Sequence, residues 1–147
     1  MTYRKLPLLV LVVAVLVAGM SSPAHADDVP RRDRLLQILN KARRNHGLPV
    51  FRLKIALSHT AWEHSRRMAR RGDCFHTANL YDAVRSYRPS TWGENVGAAG
   101  TVGRVKRLWL RSEGHRANVL NPRFRRIGIG VVRARGLVWV TAIFYGG

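Results

Sequence analysis

The stretch that most restricts the fold lies near the C-terminus, from Leu137 to Tyr145. Leu137, Trp139, Ile143 and Tyr145 alternate with Val138, Val140, Ala142 and Phe144, so a strand formed here is apolar on both faces. Such a strand must be covered from above and from below, which requires two layers besides its own sheet. The preceding run, Arg126 to Arg133, sets Ile127, Ile129 and Val131 against Gly128 and Gly130, and a turn at Ala134-Arg-Gly136 joins the two runs. Glycines on one face let another element, a helix or the functional site itself, come very close.

Helices supply the covering layers. From Asp33, Leu35, Leu36, Leu39 and Ala42 form one apolar stripe that Gly47 ends and Pro49 keeps ended. Asn40 lies near that stripe, placed to fix the following loop by hydrogen bonding. A second helix is predicted from Leu53 to Arg71, with Leu57, Ala61, His64 and Met68 on one face. His64 therefore reads as a hydrogen-bonded core residue. His59 and Glu63 on this helix match neither H-E-x-x-H nor H-x-x-E-H, so a zinc-protease helix is rejected. Gly72 and Asp73 end the helix, and a short helix is expected at Leu80 to Arg85. Trp92 to Val96 is either strand or ordered loop, and Gly97 to Gly100 is read as a flexible join. Thr101 is a good N-cap for a helix through Ser112 that turns Val102, Val105 and Trp109 inward and is broken by Gly114. The fold class is α+β, a sheet between helical layers.

The first residues read as an export signal: Arg4 and Lys5, an apolar run from Leu6 to Met20, and Ala24-His25-Ala26 as a cleavage motif. The apolar run is short for a membrane span. The expected organisation is therefore a signal peptide at 1–26, a frayed polar leader at 27–32 and one domain at 33–147, secreted and not transmembrane after cleavage. Lys and Arg number 26 against 8 Asp and Glu, a formal charge of +18. That balance favours anionic partners, which for an exported chain means cell-envelope polymers or lipids; with no recognised motif beside the scattered arginines, nucleic acid is not expected. A solvated basic surface accounts for the charge equally well. Cys74 is the only cysteine, which excludes an intramolecular disulfide, and beside Asp73 it is expected to be a partly buried, inert thiol.

Three polar groups from separate segments are candidates for one site: His76, Glu94 within Trp92-Gly-Glu-Asn95-Val96, and His115 within Ser112-Glu-Gly-His115. His115 stands at the head of a short helical turn, where the helix dipole disfavours imidazolium and keeps the ring neutral.

Taken in order, these segments resemble the CAP superfamily, the cysteine-rich secretory/antigen 5/pathogenesis-related-1 domains, in their bacterial SCP-like form. The resemblance spans residues 33 to 147 and is most specific at Trp92-Gly-Glu-Asn-Val96 and Trp109-x2-Ser112-x-Gly-His115-Arg-Ala-Asn-Val-Leu120. It implies a three-layer α-β-α sandwich with a cleft lined by a His/Glu tetrad, carried over here to His76, Glu94 and His115. The fourth member, a glutamate three residues after the helix tryptophan, falls on Ser112. His64 matches a structural histidine of the family, and Asn40, Trp92, Asn95 and Trp109 fall in its motifs. The resemblance also implies that His76 and His115 hold a divalent cation such as zinc, weakly, since two imidazoles are short of the usual three protein ligands. Glu94 is then a third ligand, an orienting group, or a candidate base; alternatively all three residues form a hydrogen-bonded polar cluster.

The fold does not fix an activity. The first expectation is a non-enzymatic, monomeric binding protein whose cleft takes a cation or a small hydrophobic, lipid-like ligand. The second is a metal-assisted hydrolase using His76, His115 and Glu94. The third is an extracellular interaction or signalling module displaying loop 77 to 91.

Overall fold

The computed structural model describes residues 23–147, with side chains from Asp28 onward. The chain runs α1 (Pro23–Arg44), β1 (Arg52–Leu53), α2 (Ile55–Arg71), α3 (Leu80–Val84) with a 3-10 turn at Arg85–Tyr87, β2 (Thr91–Ala99), α4 (Val102–Arg111), α5 (Glu113–Val119), β3 (Arg126–Ala134) and β4 (Leu137–Gly146). The sheet order is β1-β3-β4-β2, with β1 parallel to β3 and the other pairs antiparallel. The export signal expected at 1–26 lies largely outside the described residues.

The two-faced apolar strand is covered as its pattern requires. Val138, Val140, Ala142 and Phe144 pack with Leu35 and Leu39 of α1 and with Val105 and Trp109 of α4. Across the sheet, Ile143 and Tyr145 meet Leu57 and Ala61 of α2, while Trp139 meets Met68. The protein is thus an α+β, three-layer α-β-α sandwich. The glycine face of β3 receives α2. A Cβ built on Gly130 would stand 2.1 Å from Trp62 N and 2.2 Å from Ala61 C, and one on Gly128 would stand 2.6 Å from Leu57 C. Only glycine permits that approach.

Four local expectations need correction. Residues 27–32 are helical, not frayed, because Asp28 is buried and anchored: Oδ2 accepts from Trp62 Nε1 at 3.2 Å and Oδ1 from the Arg133 N–H at 3.3 Å. The second helix starts at Ile55, since Arg52 and Leu53 pair with Arg126 and Ile127 as β1. Gly97 to Ala99 form no flexible join but the end of β2, paired to Val140, Trp139 and Val138. Gly114 lies inside α5; Ser112, in extended conformation, separates α4 from α5.

Other local readings hold. Asn40 Nδ2 donates to Phe51 O at 3.1 Å, and its Oδ1 accepts from the Phe51 N–H at 2.8 Å. Thr101 caps α4, its Oγ1 accepting from Arg104 N at 3.2 Å. Gly72 ends α2 in left-handed conformation, φ 74°.

Candidate functional site

The site is assembled around β2, the edge strand, rather than over the middle of the sheet. Pairing sets Glu94 opposite Ile143 and Val96 opposite Thr141, so Glu94 points to the α2 side. Asn95 and Gly97 point to the opposite side, where α4 and α5 lie; a Cβ on Gly97 would stand 3.0 Å from Trp109 Nε1. An exposed edge carries backbone groups that need partners. Here α4 and α5 supply them: Trp109 Nε1 donates to Val96 O at 2.9 Å and Asn118 Nδ2 to Glu94 O at 3.2 Å. Asn118 Nδ2 also reaches Asn95 Oδ1 at 2.9 Å, while Asn95 Nδ2 donates to His115 O at 2.9 Å. The tryptophan and asparagine of the motifs therefore lock the short helix that bears His115 to the strand that bears Glu94.

Glu94 is buried and fully engaged. Its Oε1 accepts from His76 Nδ1 at 2.7 Å and from the Thr77 N–H at 2.9 Å, and its Oε2 from Thr77 Oγ1 at 2.5 Å. The bond to a carboxylate places a His76 proton on Nδ1, so that in the neutral ring Nε2 carries the lone pair. Glu94 is therefore an orienting group for His76. His64, in the core, donates Nε2–H to Phe75 O at 2.7 Å and packs edge-on against the Phe75 ring. It holds the segment that presents His76 and takes no part in the opening.

His115 is half-buried, its Nδ1 3.0 Å from Ser112 Oγ and its ring 6.4 Å from that of Trp109. Its pKa is lowered, first by burial and then by the charge of His76. Both causes favour the neutral ring. Beside it runs an open groove of about 330 Å³, lined by Val96, Gly97, Val105, Leu108, Trp109 and Ser112. Leu108 on its wall is exposed. Among the described residues, no group of three or more His, Cys, Asp or Glu side chains is arranged to hold a metal ion. Cys74 is exposed rather than partly buried; desolvation by the adjoining chain, then Asp73, push its pKa up, so it remains a poor nucleophile.

Thr77 and Asn118 escaped the sequence reading as site residues. Each lies beside or within a motif that was read, but its role depends on a partner on another segment. Trp92 is exposed and lies against Tyr81, ring centroids 4.9 Å apart.

A three-layer sandwich whose edge strand carries a carboxylate between two histidine-bearing segments defines the class. The model of the cysteine-rich secretory protein family, CAP, matches residues 36–144, and the chain belongs to that family. It is 33% identical over 113 residues to the uncharacterized protein YkwD of Bacillus subtilis, covering 72% of this chain and 44% of that one. An extracellular SCP-domain protein of Bacillus anthracis superposes with a TM-score of 0.74 at 24% identity, over 88% of this chain and 45% of that one. An outer surface protein of Borrelia burgdorferi superposes with a TM-score of 0.71 at 16% identity, over 80% of this chain and 92% of its own. The chain thus spans less than half the length of the curated relative it matches. Among the described residues, no helix is long and apolar enough to cross a membrane.

Proposed function

We propose that this is an exported binding protein whose edge-strand cleft takes a divalent cation, or a small ligand with an apolar portion, while its basic surface holds it to the anionic envelope. The observation that carries the reading is the state of Glu94. Both its oxygens already accept hydrogen bonds inside the protein, which supports an orienting role and argues against a general base acting on a bound water. The hydrolase reading is weakened for the same reason.

The donors present fit an exchangeable cation better than a closed structural metal site. His76 offers an outward Nε2 and His115 a neutral ring nearby, with other positions left to solvent or ligand. A bound cation would supply a positive charge at the mouth of the apolar groove, and the groove would take the uncharged part of a ligand. Export is supported by the leader pattern in residues 1–26, and two fold neighbours carry the words extracellular and outer surface in their names. Zinc titration of the mature protein by calorimetry tests the cleft: one weak site, abolished in His76→Ala and in His115→Ala, is expected. Unchanged binding in both variants would remove the cleft from the proposal. Release from isolated envelopes by salt tests the surface.

A further inference from the structure

A second groove, whose lining includes neither His76 nor His115, lies between the start of α1, the outer face of α2 and the β3–β4 turn. It has a volume of about 490 Å³, and its walls carry Arg31, Arg66, Arg133 and Arg135, with Trp62 and Asp28. Four arginines from separate elements thus line the groove together with one carboxylate, which Arg31 approaches through its guanidinium, at 3.6 Å. That carboxylate is committed: Asp28 is buried, accepts from Trp62 Nε1 and the Arg133 N–H, and lies 3.6 Å from Arg31 Nη1. It offers little repulsion to an incoming anion.

Two of the arginines are also pre-placed. Arg66 lies over the Trp62 ring, 5.1 Å from its centroid, and its 3.6 Å contact with Glu63 is an exposed helix pair of small energy. The turn is tight, with left-handed φ of 54° at Arg135 and 74° at Gly136, and Arg135 Nη2 donates to Arg70 O at 3.0 Å. Guanidinium forks match phosphate oxygens in pairs, and holding the forks in advance lowers the ordering cost of binding.

We infer that this groove is a binding site for a phosphodiester-linked polymer of the envelope. The inference deepens the surface half of the proposed function and rests on it. Charges spread over several elements suit a repeating anion better than a single phosphate. None of the exposed large apolar side chains among the described residues (Val50, Ile55, Tyr81, Trp92, Leu108) lines the groove, so it lacks the wedge that insertion into a bilayer requires.

The test is binding of the mature protein to inorganic polyphosphate across a salt series. Arg66→Gln combined with Arg133→Gln should weaken binding by about tenfold or more and lower the salt slope by roughly one per arginine removed. Arg107→Gln with Arg111→Gln on α4, the same change in net charge, should shift affinity by less than about twofold. Equal losses in the two double variants would overturn the groove in favour of a diffuse field. Loss of binding to phosphatidylglycerol vesicles alone would overturn the polymer. Arg133→Lys, which keeps the charge and loses the fork, should fall between wild type and the double variant, and thermal melts confirm folding. His76→Ala should leave polyphosphate binding unchanged. Salt-sensitive envelope retention that persists in the Arg66/Arg133 double variant would leave the proposed function standing and the groove refuted.

Discussion

His76 and Glu94 are joined by a 2.7 Å hydrogen bond between groups of opposite exposure: the histidine side chain is 62% exposed and the glutamate side chain 3%. The carboxylate thus acts from inside the protein to aim a ring that faces solvent. Replacing Glu94 by Gln tests this directly. The amide nitrogen must then meet one of the groups that now donate to Glu94, namely His76 Nδ1, Thr77 N or Thr77 Oγ1. A loss of about 1–3 kcal/mol in urea unfolding is expected, together with loss of the fixed His76 tautomer in ring-nitrogen NMR shifts. Retention of both would mean that the hydrogen bonds to the carboxylate carry no weight.

A second prediction concerns Arg43, whose buried guanidinium finds four backbone carbonyls. Nε donates to Pro49 O at 2.7 Å, Nη1 to Val119 O at 2.8 Å and Asn121 O at 2.9 Å, and Nη2 to Phe124 O at 2.9 Å. The group also lies 4.0 Å from the centroid of the Phe51 ring. Burial, then Arg125, bring its pKa down to about 10, so it stays charged at neutral pH. Arg43→Met would strand those carbonyls and should cost about 3 kcal/mol or more, measured as a shifted urea midpoint. Arg43→Lys cannot reproduce the fork and should recover only part of the loss.

Gly130→Ala should be harsher still. The new methyl would sit 2.1 Å from Trp62 N and 2.2 Å from Ala61 C, which are helix backbone and cannot rotate away. The expected result is insoluble protein, or more than about 4 kcal/mol of destabilisation. Gly114→Ala, where nothing lies within 4 Å of the added carbon, is the control and should be tolerated.

These three cases mark what the chain's residues reveal unaided. The layers were legible because apolar side chains recur at fixed periods: β4 on both faces, α2 at Leu57, Ala61, His64 and Met68, and the glycine face of β3. His76, Glu94 and His115 were legible through the motifs around them. The polar partners were not. Arg43 continues the spacing of Leu35 and Leu39, so its place in a buried stripe could have been seen, but its acceptors at Val119 and Phe124 lie 76 and 81 residues away. Asp28 likewise looked like part of a solvated leader, because Trp62 and the Arg133 N–H become its neighbours only after folding. Periodicity reports which face is buried; which distant donor meets which acceptor depends on the completed packing.

The lowered pKa of His115 carries a pH dependence. Its folded-state value lies below the ordinary 6.5, first through burial and then through the His76 charge, so folding favours the neutral ring. The resulting stability is complete above the unfolded-state value and is lost as pH falls from there through the lowered folded value. His115→Gln should therefore flatten the stability-versus-pH curve in that window, read from urea midpoints between about pH 7.5 and 5. An unchanged curve would show that the ring titrates alike in both states.

Ser112 supplies the last prediction. Its hydroxyl lies 3.0 Å from His115 Nδ1 and can either donate to that nitrogen or accept from it. As acceptor it leaves Nε2 free for a cation; as donor it moves the proton to Nε2 and closes that position. A carboxylate in its place could only accept when ionised, so Ser112→Glu should hold His115 with its proton on Nδ1. The His76–Glu94 pair already shows that arrangement on the other side of the strand. Orienting carboxylates of this kind change metal affinity by about 10- to 100-fold, so Ser112→Glu should tighten zinc binding by at least about tenfold in a calorimetric titration. The ring-nitrogen shifts of His115 should move toward the Nδ1–H form in the same variant. Tighter binding without that tautomer change would point to the introduced carboxylate acting as a ligand; the tautomer change without tighter binding would show that the two imidazoles do not share an ion.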